Sequence, residues 1–122
     1  MIGDRELLSY MQELAQLKDI EVKTGKQFSK AQQAYERFQE LRKSIMSEII
    51  IELKRDPKQG KTARNLLEDT ARSDQRYLDW VNKMADAGKM ANELKVEYTA
   101  ILNRQKALIT MISVTKELVK VK

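Results

Sequence analysis

Apolar side chains recur along this chain at alternating steps of three and four residues: Leu7, Tyr10, Leu14, Leu17, then Phe28, Ala31, Tyr35, Phe38, Ile45 and Ile49. A repeat averaging 3.5 residues places its members on one stripe of an α-helix, and a second helix packed along that stripe keeps it from water. A further stripe runs through Ala63, Leu67, Tyr77, Val81, Met84, Ala91, Leu94, Tyr98, Ile101, Leu108, Ile112 and Val119. The pattern predicts an all-α chain, a long helical hairpin or elongated helical bundle with coiled-coil-like packing.

One strong stop interrupts the two stripes. At Asp56-Pro57-Lys58-Gln59-Gly60, proline forbids continued helix and glycine supplies the freedom of a turn. The expected organisation is a single domain over residues 1–122: a helical half at 4–55, a turn at 56–61 and a second helical half at 62–121. If continuous, the first half would be about 75 Å long at 1.5 Å per residue. Three weaker points remain. Glu21 and Thr24 occupy stripe positions before Gly25, where the stripe fails, so the first half is expected as one long helix or as two collinear ones meeting at a kink or break there. Ser73-Asp74 resembles an internal N-cap that would split the second half, and the stripe slips near Gly88 as at a coiled-coil stammer.

The apolar faces are wider than one partner helix covers, because Leu41, Met46, Ile50, Leu66, Leu78, Met90, Leu102, Ile109 and Met111 spread them beyond a narrow seam. Two solutions follow, a fold-back bundle of three or four helices or self-association into a homo-oligomer, and the second is the favoured expectation. The small residues around Met84, Gly88 and Ala91 allow close helix approach. With Tyr98 they are the candidate oligomer interface, ordinary packing within the chain being the alternative.

Several chemistries are absent. The chain has no cysteine and no histidine, which removes thiolate nucleophiles, disulfides, the usual neutral-pH general base and the commonest metal ligand. Gly60-Lys61-Thr62, after Ile49-Ile50-Ile51, imitates a phosphate-binding loop. That motif needs a glycine five residues before Gly60, where Arg55 stands. Glu36 and Glu40, Glu48 and Glu52, and Glu93 and Glu97 pair at helical spacing, but lysines at 43, 54, 89 and 95 favour surface ion pairing over a metal centre. We expect no catalytic residues, no metal, no cofactor and no enzymatic activity.

The net charge of +5 is concentrated at the bend. Lys54, Arg55, Lys58, Lys61 and Arg64 are opposed there only by Asp56. Arg72, Arg76, Trp80 and Lys83 then follow at steps of four, four and three, which on a continuous helix forms one face of cations beside an indole. Cations take phosphates and aromatic faces stack unpaired bases, so these nine residues are the candidate nucleic-acid interface, single-stranded nucleic acid suiting it best. A lone tryptophan in a helical bundle is more often packed in its core, which is the alternative for Trp80.

Tyr77-Leu78-Asp79-Trp80-Val81-Asn82-Lys83 and Leu94-Lys95-Val96-Glu97-Tyr98 resemble stretches of the bacteriophage recombination-mediator family, small helical proteins that form rings and help load a recombinase on single-stranded DNA. The resemblance covers about half the chain and does not extend to the first half, so no functional residue is carried over. It implies a self-associating accessory protein binding single-stranded DNA in phage recombination or replication. A module whose apolar faces are completed by another protein, as adaptor, inhibitor or assembly chaperone, is the alternative. Met1-Ile2-Gly3-Asp4-Arg5-Glu6 is no signal peptide, and Thr110 and Ser113 break the longest apolar run, Ala107–Val114. The expected location is therefore the cytoplasm, that of the host if the protein is phage-encoded, with no membrane partner.

Overall fold

A computed structural model describes residues 2–58 and 62–121. They form three helices, α1 (Ile2–Arg55), α2 (Arg64–Arg72) and α3 (Gln75–Val121), and no strand occurs among the described residues. No helix there is long and apolar enough to cross a membrane.

Of the two arrangements expected for the first half, the single long helix is the one that forms, and α1 runs through Gly25 without interruption. A helical glycine costs only about 1 kcal/mol relative to alanine, and packing against α3 along the helix outweighs it here. The polar stripe positions are also accommodated. Thr24 is buried, and Glu21 is half-buried and accepts a hydrogen bond from Gln105 Nε2 at 3.1 Å. At Gly88, where the stripe slips, α3 continues unbroken. Shielded positions in α3 step through Tyr77, Trp80, Met84, Ala87, Ala91, Leu94 and Tyr98 by regular threes and fours. Val81 and Gly88 are half-buried as well, so the shielded face of α3 is broader than a single stripe there.

The helix stops fall where the sequence places them. Arg55 ends α1, and Asp56 closes a local turn by accepting the Lys58 backbone N–H at 3.0 Å. Ser73-Asp74 does split the second half. Asp74 Oδ1 accepts the Arg76 backbone N–H at 2.9 Å and its carbonyl accepts that of Leu78 at 3.0 Å, the bonding of an N-cap opening α3.

The chain divides into two compact units, the first comprising Met1–Ser29 and Asn92–Lys122, the second Lys30–Ala91. In the first unit α1 and α3 run antiparallel. Arg104 grips Glu13 through two hydrogen bonds of 2.9 and 3.0 Å, and farther along α1 Phe28 meets Tyr98 with ring centroids 6.2 Å apart. Leu108 is fully buried in this seam. The tyrosine ring lies over Gly25, where a β-carbon would stand 3.1 Å from Cε2.

The second unit is a three-helix arrangement. Here α2 folds back so that Leu67 and Ala71 bury against Ile49 and Ile50 of α1, with Ile45, Met46, Leu53 and Tyr77 packed around them. The broad apolar face at the end of α1 is thus covered from within the chain, at about 1.5–3 kcal/mol for each fully buried large side chain. Further along, Tyr35 of α1 crosses Gly88 of α3, and Ala91 is buried.

Candidate nucleic-acid interface

The structure separates the nine residues that the sequence groups. Lys54 and Arg55 are exposed in the last turn of α1, where cations complement the negative helix end, and Lys58 is exposed in the turn that follows. Lys61 lies outside the described residues, with Gln59 and Gly60. Arg64 opens α2 and Arg72 closes it.

The continuous face through Arg72, Arg76, Trp80 and Lys83 does not form, because the helix break at Ser73-Asp74 falls between its first two members. Arg76 turns to carboxylates. It makes a two-pronged contact with Asp74, at 3.1 Å on each oxygen, and reaches Glu52 of α1 at 2.7 Å. The hydrogen bonds from Arg76 hold the Asp74 carboxyl below its ordinary range, and those to Asp74 and Glu52 raise the guanidinium above its own. Trp80 enters the helix seam, its indole N–H donating to the Phe38 carbonyl at 2.9 Å and its ring 4.9 Å from that of Phe38. Its outer edge, with Ala34, Arg37, Leu41 and Lys83, borders a shallow groove of about 330 Å³.

A more concentrated basic site lies elsewhere in the same unit. Arg42 and Lys43 of α1, Arg64 and Arg72 of α2 and Tyr77 of α3 line a concavity of about 450 Å³ together with Met46 and Ser47. Arg64 Nε contacts Glu68 at 3.2 Å, while Arg72 reaches Asp69 at 2.9 Å and Glu68 at 3.9 Å. Among the described residues, Arg42 and Lys43 make no ion pair. The cavity therefore holds two unengaged cations and two whose ion pairs lie at the surface, with a phenol ring at its wall. Phosphates of a flexible strand can enter such a site by displacing weak surface pairs.

Sequence reasoning found Arg64 and Arg72 but missed Arg42, Lys43 and Tyr77. A signal was present, because the step from Phe38 to Ile45 skips position 42, where the repeat asks for an apolar residue and the chain supplies arginine. The candidate oligomer residues are already packed within the chain: Gly88 by Tyr35, Tyr98 by Phe28 and Gly25, while Ala91 is buried and Met84 half-buried. The triple isoleucine before the imitation phosphate loop belongs to α1, with Ile49 and Ile50 in the core. No group of three potential metal-ligating side chains gathers among the described residues. Of the paired glutamates, Glu52 is bound by Arg76 and Glu36 accepts from Gln32.

No family model, curated protein or solved structure matches the chain.

Proposed function

We propose that this chain is a non-enzymatic helical accessory protein that holds single-stranded nucleic acid in the basic concavity of its second unit, in a setting of the phage recombination or replication type. The observation that carries the reading is the convergence of Arg42, Lys43, Arg64 and Arg72 from two helices on one cavity walled by Tyr77. The arginines and lysine take successive phosphates, and Tyr77 offers a π-surface to a base. Trp80 has its indole N–H engaged within the chain and serves the fold.

Fluorescence anisotropy with a labelled single-stranded DNA tests this. Binding is expected at low salt, weakening steeply as salt is raised. Replacing Arg42 and Lys43 together by alanine is expected to reduce affinity about tenfold or more while leaving helix content unchanged. No binding at low salt, or full affinity in the double variant, overturns the proposal.

The protein-binding reading draws on a different observation. Leu8, Met11, Val22 and Ile109 of the first unit are about half exposed, at 58, 47, 57 and 55%. Such a surface suits a helical partner.

A further inference from the structure

The two flanks of the first unit's helix pair differ in charge. Glu13 and Arg104 meet on one flank, and each immediately precedes a seam residue, Leu14 and Gln105. In an antiparallel pair, residues in that register share one side and those just after the alternate seam positions share the other. Met11, Lys18 and Gly25 of α1 therefore adjoin Lys95, Leu102, Ile109 and Lys116 of α3 on the opposite flank. One step outward stand Leu8, Ala15 and Val22 on α1, and Lys106 on α3.

This second flank is apolar, and the charged side chains at its own positions are lysines. Lys18, Lys95, Lys106 and Lys116 are exposed, and no carboxylate occupies the positions between Leu8 and Ser29 or between Lys95 and Lys116 that make up the flank. None of the four lysines is in an ion pair among the described residues. The Glu13 flank is of mixed sign, for Glu93 and Glu97 lie there with Lys23 and Arg104. Beside Val22, where the Tyr98 ring packs over Gly25, lies a shallow, open depression of about 530 Å³ that Phe28 and Ser29 also line. Glu21 borders it from the seam, its carboxylate already engaged by Gln105.

We propose that this flank receives an acidic amphipathic helix of another protein, its apolar stripe lying between α1 and α3 and one large apolar side chain resting in the depression beside Val22. The partner's Asp and Glu residues meet the four lysines on either side of that stripe, as charges beside a coiled-coil seam do. A second copy bound through the same flank would set lysines against lysines, which costs affinity and excludes symmetric self-pairing there.

The test uses the full chain and a designed peptide of about four heptads, leucine along one stripe and glutamate on both sides of it, with a lysine-for-glutamate version as control. Isothermal titration is expected to show salt-sensitive binding of the acidic peptide alone, with a gain of helix on mixing. Val22→Ser with Ile109→Ser, or Lys95→Glu with Lys106→Glu, is expected to weaken binding about tenfold, because each removes one half of the recognition. Replacing Arg42 and Lys43 by alanine is expected to leave it unchanged, which separates this surface from the nucleic-acid cavity. Equal binding of the two peptides, or insensitivity to the flank variants, overturns the proposal. So does failure to bind the acidic peptide; flank-dependent binding to phosphatidylserine vesicles in its place assigns the flank to a lipid surface.

Discussion

Tyr35 crosses Gly88 so closely that a β-carbon on the glycine would stand 2.8 Å from the ring's Cε2. Alanine favours helix over glycine by about 1 kcal/mol, but overpacking costs about 1–3 kcal/mol where a ring has no room to retreat. Gly88→Ala is therefore expected to lower the thermal midpoint, with the net loss about 1 kcal/mol. At Gly25 the corresponding distance to Tyr98 is 3.1 Å, and the helix gain comes closer to offsetting the contact. Circular dichroism melts of the two variants check the ranking. A Gly88→Ala protein no less stable than Gly25→Ala would show that the Tyr35 ring moves freely.

Leu67 is buried at 1% exposure and is the apolar anchor by which α2 covers Ile49 and Ile50. Leu67→Ala is expected to cost about 2–5 kcal/mol, the range for a large core side chain whose site cannot collapse fully. Urea denaturation followed at the helix signal measures it. Leu66 is 55% exposed, so alanine there is expected to change the midpoint little.

The hydrogen bond between Glu21 and Gln105 places a polar pair in a seam otherwise suited to leucine. Such pairs fix register at a cost in stability. The double replacement Glu21→Leu with Gln105→Leu is expected to raise the thermal midpoint while loosening the choice of partner, seen as new larger species in light scattering. A lower midpoint with unchanged mass would mean that the pair stabilises the fold outright.

Asp74 caps α3, and hydrogen bonds from Arg76 lower its pKa. A carboxylate with a depressed folded-state pKa contributes its stability above the unfolded pKa and loses it as pH falls through the folded value. Asn caps a helix about as well as Asp, so Asp74→Asn removes the charge and keeps the cap. The variant is expected to melt below the parent at neutral pH and to match it once acid has protonated Asp74, below the ordinary carboxylate range. Thermal melts across an acid series read the difference.

Much of the fold was legible because the forces that set it are periodic. The three-and-four spacing from Phe28 to Phe38, the Asp56-Pro57 stop and the Ser73-Asp74 cap each express a local requirement that the chain meets. At Gly25 the local sequence left one long helix and two collinear ones both open, because what the glycine accommodates is the Tyr98 ring of a helix distant in sequence. For Trp80 the core-packed reading is the one the structure bears out. Reckoned with Arg72 and Arg76 it looks like a displayed face, but the break at Ser73 takes Arg72 out of its register and the indole N–H finds the Phe38 carbonyl. The basic concavity was half visible, since Arg64 and Arg72 are near neighbours in sequence while Arg42 and Lys43 reach them only through the return of α2.

The ion pair of Glu13 with Arg104 joins residues 91 apart in sequence, whereas Trp80 and Phe38 are separated by only 42. Loop-closure entropy grows with the logarithm of the chain enclosed, so the shorter circuit forms at lower cost and the longer one follows by zippering once the intervening segment is ordered. On that ground the segment holding the basic cavity is expected to assemble first, which φ-value measurements at Leu67 and at Leu108 check. Opening is expected to run in reverse, so that native-state hydrogen exchange finds amides around Glu13 less protected than those around Ile49 and Leu67.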